Sequence, residues 1–400
     1  MTGASKLPDV GTTIFTVISR RASELGAINV GQGFPDYPID PQLADCVAAA
    51  MRAGHNQYAP MEGAIELREA IALQLARNSQ VVMDPVAEIT VTVGATEAIY
   101  CAIQAMVGAG DEAIVFDPSY DSYDPAVRLA GGRCVHVPLV PPAFRYDWDR
   151  VRAALSPRTR LIVFNSPANP ACTVASAADL QALADIAERH DLTVLSDEVY
   201  EHVVFDGRRH YSVLATPSLA ARSFAVYSFG KTLHATGVRV GYCVAPAGLT
   251  RELRKVHQYN TFSVAAPLQH GIASYLASRP TIWDALAPEF ERKRNLLLQA
   301  LQGSRFVLRP AEGAYFQLLD FSDLARHGDV AFTERLLVEA GVATIPLSPF
   351  YQSPPPLTLI RLCIAKRDAT LLAAAERLQA FAAGRPRPRE ASDRTAGRAS

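Results

Sequence analysis

The 400-residue chain is 49% hydrophobic and 20% charged, with a formal net charge of −1. That is an ordinary composition for a soluble protein with length enough for two domains and large cores, and its near-neutral charge favours neither nucleic acid nor an anionic membrane surface. The six cysteines (Cys46, Cys101, Cys134, Cys172, Cys243 and Cys363) form no CxxC pair, so they read as reduced thiols of a cytoplasmic protein rather than a disulfide frame or a zinc site.

The opening MTGASKLPDVGTT lacks the apolar segment of a secretory signal. From about residue 60 to 230, short apolar runs alternate with helical patterns. The runs are EITVTVG (88–94), EAIVFDP (112–118), RLIVFNSP (160–167), LTVLSDE (192–198) and RSFAVYSF (222–229), with helices predicted between them over 95–108, 121–132 and 176–191. The stretch 89–110 holds a single charge, Glu97, but its opening alternation and the VGAT break make it strand, turn and buried helix rather than a membrane span. Strands alternating with helices imply a mainly parallel sheet covered on both faces. The next run, VGYCVA (240–245), follows after only about ten residues, too few for a parallel crossover, so it is predicted to run antiparallel. A helical stretch over 248–302 is broken at Pro267 and Pro280. Runs at 305–310, 314–320, 342–347 and 357–365 then read as a smaller α+β domain closed by a helix over 368–383.

The expected fold is therefore α/β: a mainly parallel sheet of about seven strands with one antiparallel strand, helices on both faces, and a smaller α+β domain. Residues 1–45 are expected to form an N-terminal arm and part of the small domain, 46–285 the large domain, 286–383 the C-terminal small domain, and 384–400, poor in apolar residues, a disordered tail.

In an open parallel sheet, ligands bind outside the carboxyl ends of the strands. Here those ends are polar. The run 88–94 leads into Ala95 and Thr96 at a helix start, 112–118 into Tyr120 and 160–167 into Asn169. The run 192–198 holds Asp197 and leads to Tyr200, and 222–229 holds Ser228 and leads to Lys231. Singly, each has a bland reading: Asn-Pro is a common turn, Asp a helix cap, a tyrosine packs, and a lysine at a strand end reaches solvent. The alternative is a lysine held where it loses its proton and attacks a carbonyl, with Ser228 and Arg239 as phosphate ligands beside it. GAGDEA (108–113) fits G-x-G-x-x-[GA], but a helix precedes it and a strand follows, the reverse of the dinucleotide-binding arrangement. The sequence contains no Walker A segment and no HExxH.

Along the chain, GTTIFT, GQGFPD, NQYAPMEG, FDPSYDSY, SPANP, SDEVYEH, SFGKTLHATGVR, RKVHQYNTFSV and LIRLCIA resemble the class I aminotransferases that depend on pyridoxal 5′-phosphate (PLP), of the aspartate aminotransferase fold type (fold type I). The resemblance spans roughly 7–382 and looks nearest to the bacterial methionine aminotransferase branch, close to the kynurenine and glutamine transaminases. Arg239 stands where that branch more often has lysine; both are cations.

The resemblance implies roles residue by residue. Lys231 holds PLP covalently and, once freed, moves the substrate proton. Asp197 faces the ring nitrogen, Asn169 and Tyr200 bind the ring hydroxyl oxygen, and Tyr120 stacks on the ring. Ala95, Thr96, Ser228 and Arg239 bind the phosphate, joined by Tyr58 from a second copy, which implies a homodimer with shared active sites. Arg361 clamps the substrate carboxylate, with Gly33 beside it and Asn169 also in reach. Ile14, Phe15 and Tyr37 line the side-chain pocket. The implied substrates are small molecules, amino acids and 2-oxo acids, with methionine and other apolar or aromatic donors favoured. A PLP-dependent C–S lyase acting on cysteine conjugates uses the same cofactor residues and stands as the alternative. No metal, nucleic acid or membrane partner is implied.

Overall fold

The computed structural model describes residues 5–385; the tail expected to be disordered lies outside them from residue 386 on. The chain divides into two compact units. The larger comprises 5–10, Pro38–Pro288 and Glu312–Ala314. Its centre is a seven-stranded sheet: β1 (Ile89–Thr92), β2 (Glu112–Asp117), β3 (Arg133–Pro138), β4 (Thr159–Asn165), β5 (Thr193–Asp197), β6 (Ser223–Ser228) and β7 (Gly241–Val244). The spatial order is β1-β7-β6-β5-β4-β2-β3. Only β7 runs against the rest, antiparallel to both β1 and β6, as the short connection to it requires.

Every position of β2 and β6 is buried, which is why these strands read as unbroken apolar runs. β3 was not among the six runs visible in the sequence. It is an edge strand, exposed at both ends, and its RCVHVP carries too little apolar signal to stand out. The helix Gly94–Met106 lays Ala98, Ile99, Ala102 and Ile103 over Val115, Leu195, Val226 and Cys243 of the sheet, the i, i+4 stripe of a core-facing helix. The helix expected over 121–132 is shorter, Tyr123–Leu129, because Gly131 takes a positive φ of 87° and turns the chain into β3. The stretch 248–302 becomes Ala247–Asn260, Ala266–Ser278 and Leu286–Ala300, with Pro267 in the first turn of the second helix.

The smaller unit comprises Gly11–Tyr37, Glu289–Ala311 and 315–385. Its four-stranded antiparallel sheet has the order Ile345–Pro346, Leu359–Cys363, Phe316–Asp320, Val307–Leu308. Ile28–Asn29 pairs in parallel with Val342–Ala343. The helix Ile14–Glu24 begins at Thr13, whose side chain accepts the Thr16 N–H. The helix Asp368–Ala382 closes the unit. Among the described residues, no helix is long and apolar enough to cross a membrane.

In the larger unit, the helices Pro41–Arg52 and Ala266–Ser278 cross at Gly271, where an added Cβ would lie 2.7 Å from Val47 Cα and 2.8 Å from its nitrogen. Backbone cannot yield as a flexible side chain does, so Gly271→Ala should cost about 1–3 kcal/mol of stability despite alanine's better helix propensity. Urea unfolding measures this. A variant as stable as wild type would mean the two helices separate freely.

Candidate active site

At the carboxyl edge of the large sheet lies a cavity of about 340 Å³. Nine of the residues singled out in the sequence line it: Ala95, Thr96, Tyr120, Asn169, Asp197, Tyr200, Ser228, Lys231 and Arg239. They come from five loops because β1, β2, β4, β5 and β6 end, and β7 begins, at this one edge. Ile99, Asn165 and Val199 complete the lining.

One end of the cavity is built for an anion. The 13-residue helix Gly94–Met106 starts here with no side-chain cap, so its first N–H groups and the positive end of its dipole face the cavity. Gly94 has a φ of +72°, and a Cβ on it would fall 2.6 Å from Arg239 Nη2, so the guanidinium rests against bare backbone. Gly241 pairs with both Thr92 and Ser228. A Cβ on it would lie 2.7 Å from the Ala95 nitrogen, so the strand can approach the helix start only as glycine. Arg239 itself has a φ of +52°, which turns its side chain out of the strand direction.

The other end carries a carboxylate. Asp197 is 4% exposed and accepts the Tyr123 hydroxyl at 2.6 Å and the Val199 N–H at 3.3 Å. Burial raises its pKa to about 6, even though the Tyr123 hydrogen bond and the Lys231 charge pull the other way. Asn165 ties the neighbouring loops together: its Nδ2 donates to the Asp197 carbonyl at 2.9 Å and its Oδ1 accepts the Asn169 N–H at 2.8 Å. Glu198 points to the opposite face and accepts from Ser196, His210, Val213 and Tyr227 at 2.9–3.1 Å, which pins the SDEVY turn from behind. Between the two ends, Lys231 Nζ lies 5.8 Å from the centroid of the buried Tyr200 ring. Tyr120 lies edge-on to Tyr123 at 5.7 Å; burial raises its phenol above the usual range while a hydrogen bond with Thr96 opposes the rise.

Tyr123 and Asn165 were missed in the sequence. Tyr123 had a weak signal, since FDPSYDSY places it three residues after Tyr120 at the start of a helix. Asn165 had one as the last residue of β4. Tyr58 is 84% exposed and meets Phe262 edge-on at 5.4 Å.

The remaining candidates belong to the smaller unit. Arg361 is 1% exposed and lies among three rings, its Cζ 3.9 Å from the Phe316 centroid, 5.1 Å from Phe15 and 5.6 Å from Phe350. A Cβ on Gly33 would come within 2.9 Å of Phe316, so Gly33 lies against the same ring as the guanidinium. Ile14 and Phe15 pack on a cluster that includes Ile345 and Phe350. Tyr37 lies beneath Lys293 Nζ, 5.4 Å from the ring centroid, and burial pushes its phenol well up.

Residues 26–378 match the family described as aminotransferase class I and II. This chain is a class I and II aminotransferase. It is 52% identical over 375 residues to the methionine aminotransferase of Escherichia coli (strain K12), covering 94% of this chain and 97% of that one. It is 38% identical over 389 residues to a probable N-succinyldiaminopimelate aminotransferase of Mycobacterium tuberculosis, covering 94% and 98%. The solved structure of YbdL from Escherichia coli, for which a methionine aminotransferase function is described, superposes with a TM-score of 0.93 at 51% identity, covering 95% of this chain and 99% of that one.

In this aminotransferase the buried Asp197 carries a measurable cost. An acid whose folded value lies above its unfolded one holds its proton more tightly in the native state, so stability falls as pH rises from the unfolded value of 3.8 through about 6 and is level above that. Asn in place of Asp cannot ionise. The stability gap between Asp197→Asn and wild type, both stripped of bound small molecules, should therefore move in the variant's favour by on the order of 2 kcal/mol between about pH 4 and about pH 8. Denaturant unfolding at both values checks it; a constant gap would mean that the carboxylate is not penalised by burial.

Proposed function

We propose that this aminotransferase uses PLP to move the amino group of methionine, and of other apolar or aromatic amino acids, to a 2-oxo acid. The observation that carries the reading is the single cavity whose one end offers helix N–H groups, Ser228 and Arg239, and whose other end offers Asp197, with Lys231 between. This donor set fits PLP: an anion cradle for the phosphate, a carboxylate for the pyridine nitrogen and an amine for the aldehyde. The 52% identity to a methionine aminotransferase supports the choice of donor.

Bound there, PLP supplies a carbonyl that takes up the amino group and a ring that accepts the electrons released at Cα. The chain's own residues do the rest. Lys231 anchors the cofactor and, once displaced, carries the proton away from Cα. Asp197, held ionised by the Tyr123 hydroxyl, keeps a proton on the ring nitrogen. Asn169 and Tyr200 bind the ring hydroxyl oxygen, and Tyr120 covers the ring face. Ala95, Thr96, Ser228 and Arg239 fix the phosphate, and Tyr58 of a second copy joins them in a homodimer. Arg361 takes the α-carboxylate as a planar fork, Gly33 and Asn169 serve as further substrate contacts, and Ile14, Phe15 and Tyr37 contact the donor side chain.

Lys231→Ala should abolish transamination, and borohydride reduction of the wild type should attach the cofactor to Lys231. Recovery of the label on another lysine, by peptide mass spectrometry, would refute the assignment.

Arg361→Lys keeps the charge and loses the fork. Because a charged hydrogen bond contributes roughly 1.5–3 kcal/mol, kcat/KM should fall about tenfold to several hundredfold, and by the same factor for methionine and phenylalanine. Wild type should prefer methionine to aspartate. A defect confined to one donor would move Arg361 to the side-chain end of the substrate, and equal efficiency with aspartate would overturn the proposed donor class.

A further inference from the structure

Behind the helix start that faces the cavity lies a second polar group with no part in the roles above. Glu97 is in the first turn of the helix Gly94–Met106, next to Ala95 and Thr96, and is 8% exposed. Its Oε2 accepts the N–H of Val93, the residue that opens the turn. Its Oε1 meets His257 Nδ1 at 2.7 Å and accepts from Asn260 Nδ2 at 3.4 Å. His257, on the helix Ala247–Asn260, is fully buried, and its Nε2 donates to the Met61 carbonyl at 2.9 Å. With Nε2 committed as a donor, one proton is held between Nδ1 and the Glu97 carboxylate.

This arrangement is a poor way to fill a core. A buried ion pair is commonly no better than apolar side chains of the same volume. Its position explains it better. A free carboxylate one turn behind a helix N-terminus offsets the positive end of the dipole and repels an anion bound in front. The His257 proton cancels that charge. The same pair occupies the Val93 N–H, which leaves the Ala95 and Thr96 N–H groups to the cavity, and it ties the turn to the segment 58–63 through Met61.

We propose that the buried Glu97–His257 pair is a positioning device for the phosphate cradle: His257 neutralises Glu97 and thereby sets how strongly the helix start holds a phosphate. The inference rests on the reading of that helix start as the PLP phosphate site. It assigns positioning residues, since neither side chain lines the cavity.

The test compares binding of PLP with binding of pyridoxal, which lacks the phosphate, by equilibrium dialysis of wild type, His257→Leu, His257→Gln, Glu97→Gln and the double variant Glu97→Gln/His257→Leu. Wild type should strongly prefer PLP. In His257→Leu and His257→Gln the preference should drop by about tenfold or more, because the carboxylate is left uncompensated while pyridoxal binding is little changed. Glu97→Gln/His257→Leu should recover most of the preference, since the charge is gone, and Glu97→Gln alone should lose little. His257→Gln fills most of the space and keeps a donor toward Glu97, so it carries the test if the leucine variant does not fold. A lowered melting temperature with an unchanged PLP-to-pyridoxal ratio would overturn the proposal and leave the pair as packing. A wild type that binds pyridoxal as tightly as PLP would instead overturn the phosphate-site reading beneath it.

Discussion

A carboxylate sealed at the end of a buried strand must be met by donors and a cation, and much of the larger unit is arranged around meeting Asp197. Tyr123 reaches it from the helix after β2, Val199 from its own turn, and Asn165 holds its carbonyl from β4. The adjacent Glu198 points to the other face of the sheet and is satisfied separately, by four donors. Successive strand residues face opposite ways, so the two acids of SDEVY serve two environments: one looks into the cavity and the other locks the turn. A turn held from both faces cannot shift, and that rigidity lets a charged group keep its place in a site of low polarity.

The sheet topology supplies the opposite charge. Six strands run one way and deliver their carboxyl ends to one edge; β7 runs the other way and starts there. The short connection from β6 to β7 therefore never leaves that edge, and it carries both Lys231 and Arg239. Gly241 lets β7 come against the start of the helix Gly94–Met106, so the guanidinium and the helix dipole act on one spot. The cavity is polarised, with a carboxylate at one end and an anion cradle at the other. A ligand with a protonated ring and a phosphate matches that polarity, and one with the charges reversed meets repulsion at both ends.

The smaller unit solves a related problem with aromatic faces. Arg361 is almost fully buried, yet its guanidinium lies over Phe316, with Phe15 and Phe350 near by. Ring faces attract a cation and hold its plane while leaving the donor edge to an acceptor. Gly33 is part of the same stack, because any larger residue would press on Phe316. A change at Gly33 is thus felt at the ring on which Arg361 lies.

The fold class followed from the sequence because its causes are local. Buried parallel strands are unbroken apolar runs, the helices between them repeat every three to four residues, and a connection of about ten residues forces an antiparallel return. Lys231, Asp197, Asn169 and Ser228 stood out for the same reason, each being a polar residue where an apolar run stops. What the sequence left unreadable are the pairings across it. Tyr123 meets Asp197 across 74 residues and His257 meets Glu97 across 160, and neither leaves any period or spacing to find. The edge strand β3 lacked a run because only two of its six positions are buried. Local chemistry nominates the residues at strand ends. Only the folded chain decides which distant side chain holds each of them in its protonation state and orientation, because that depends on burial and on contacts that exist once the sheet and its helices are packed.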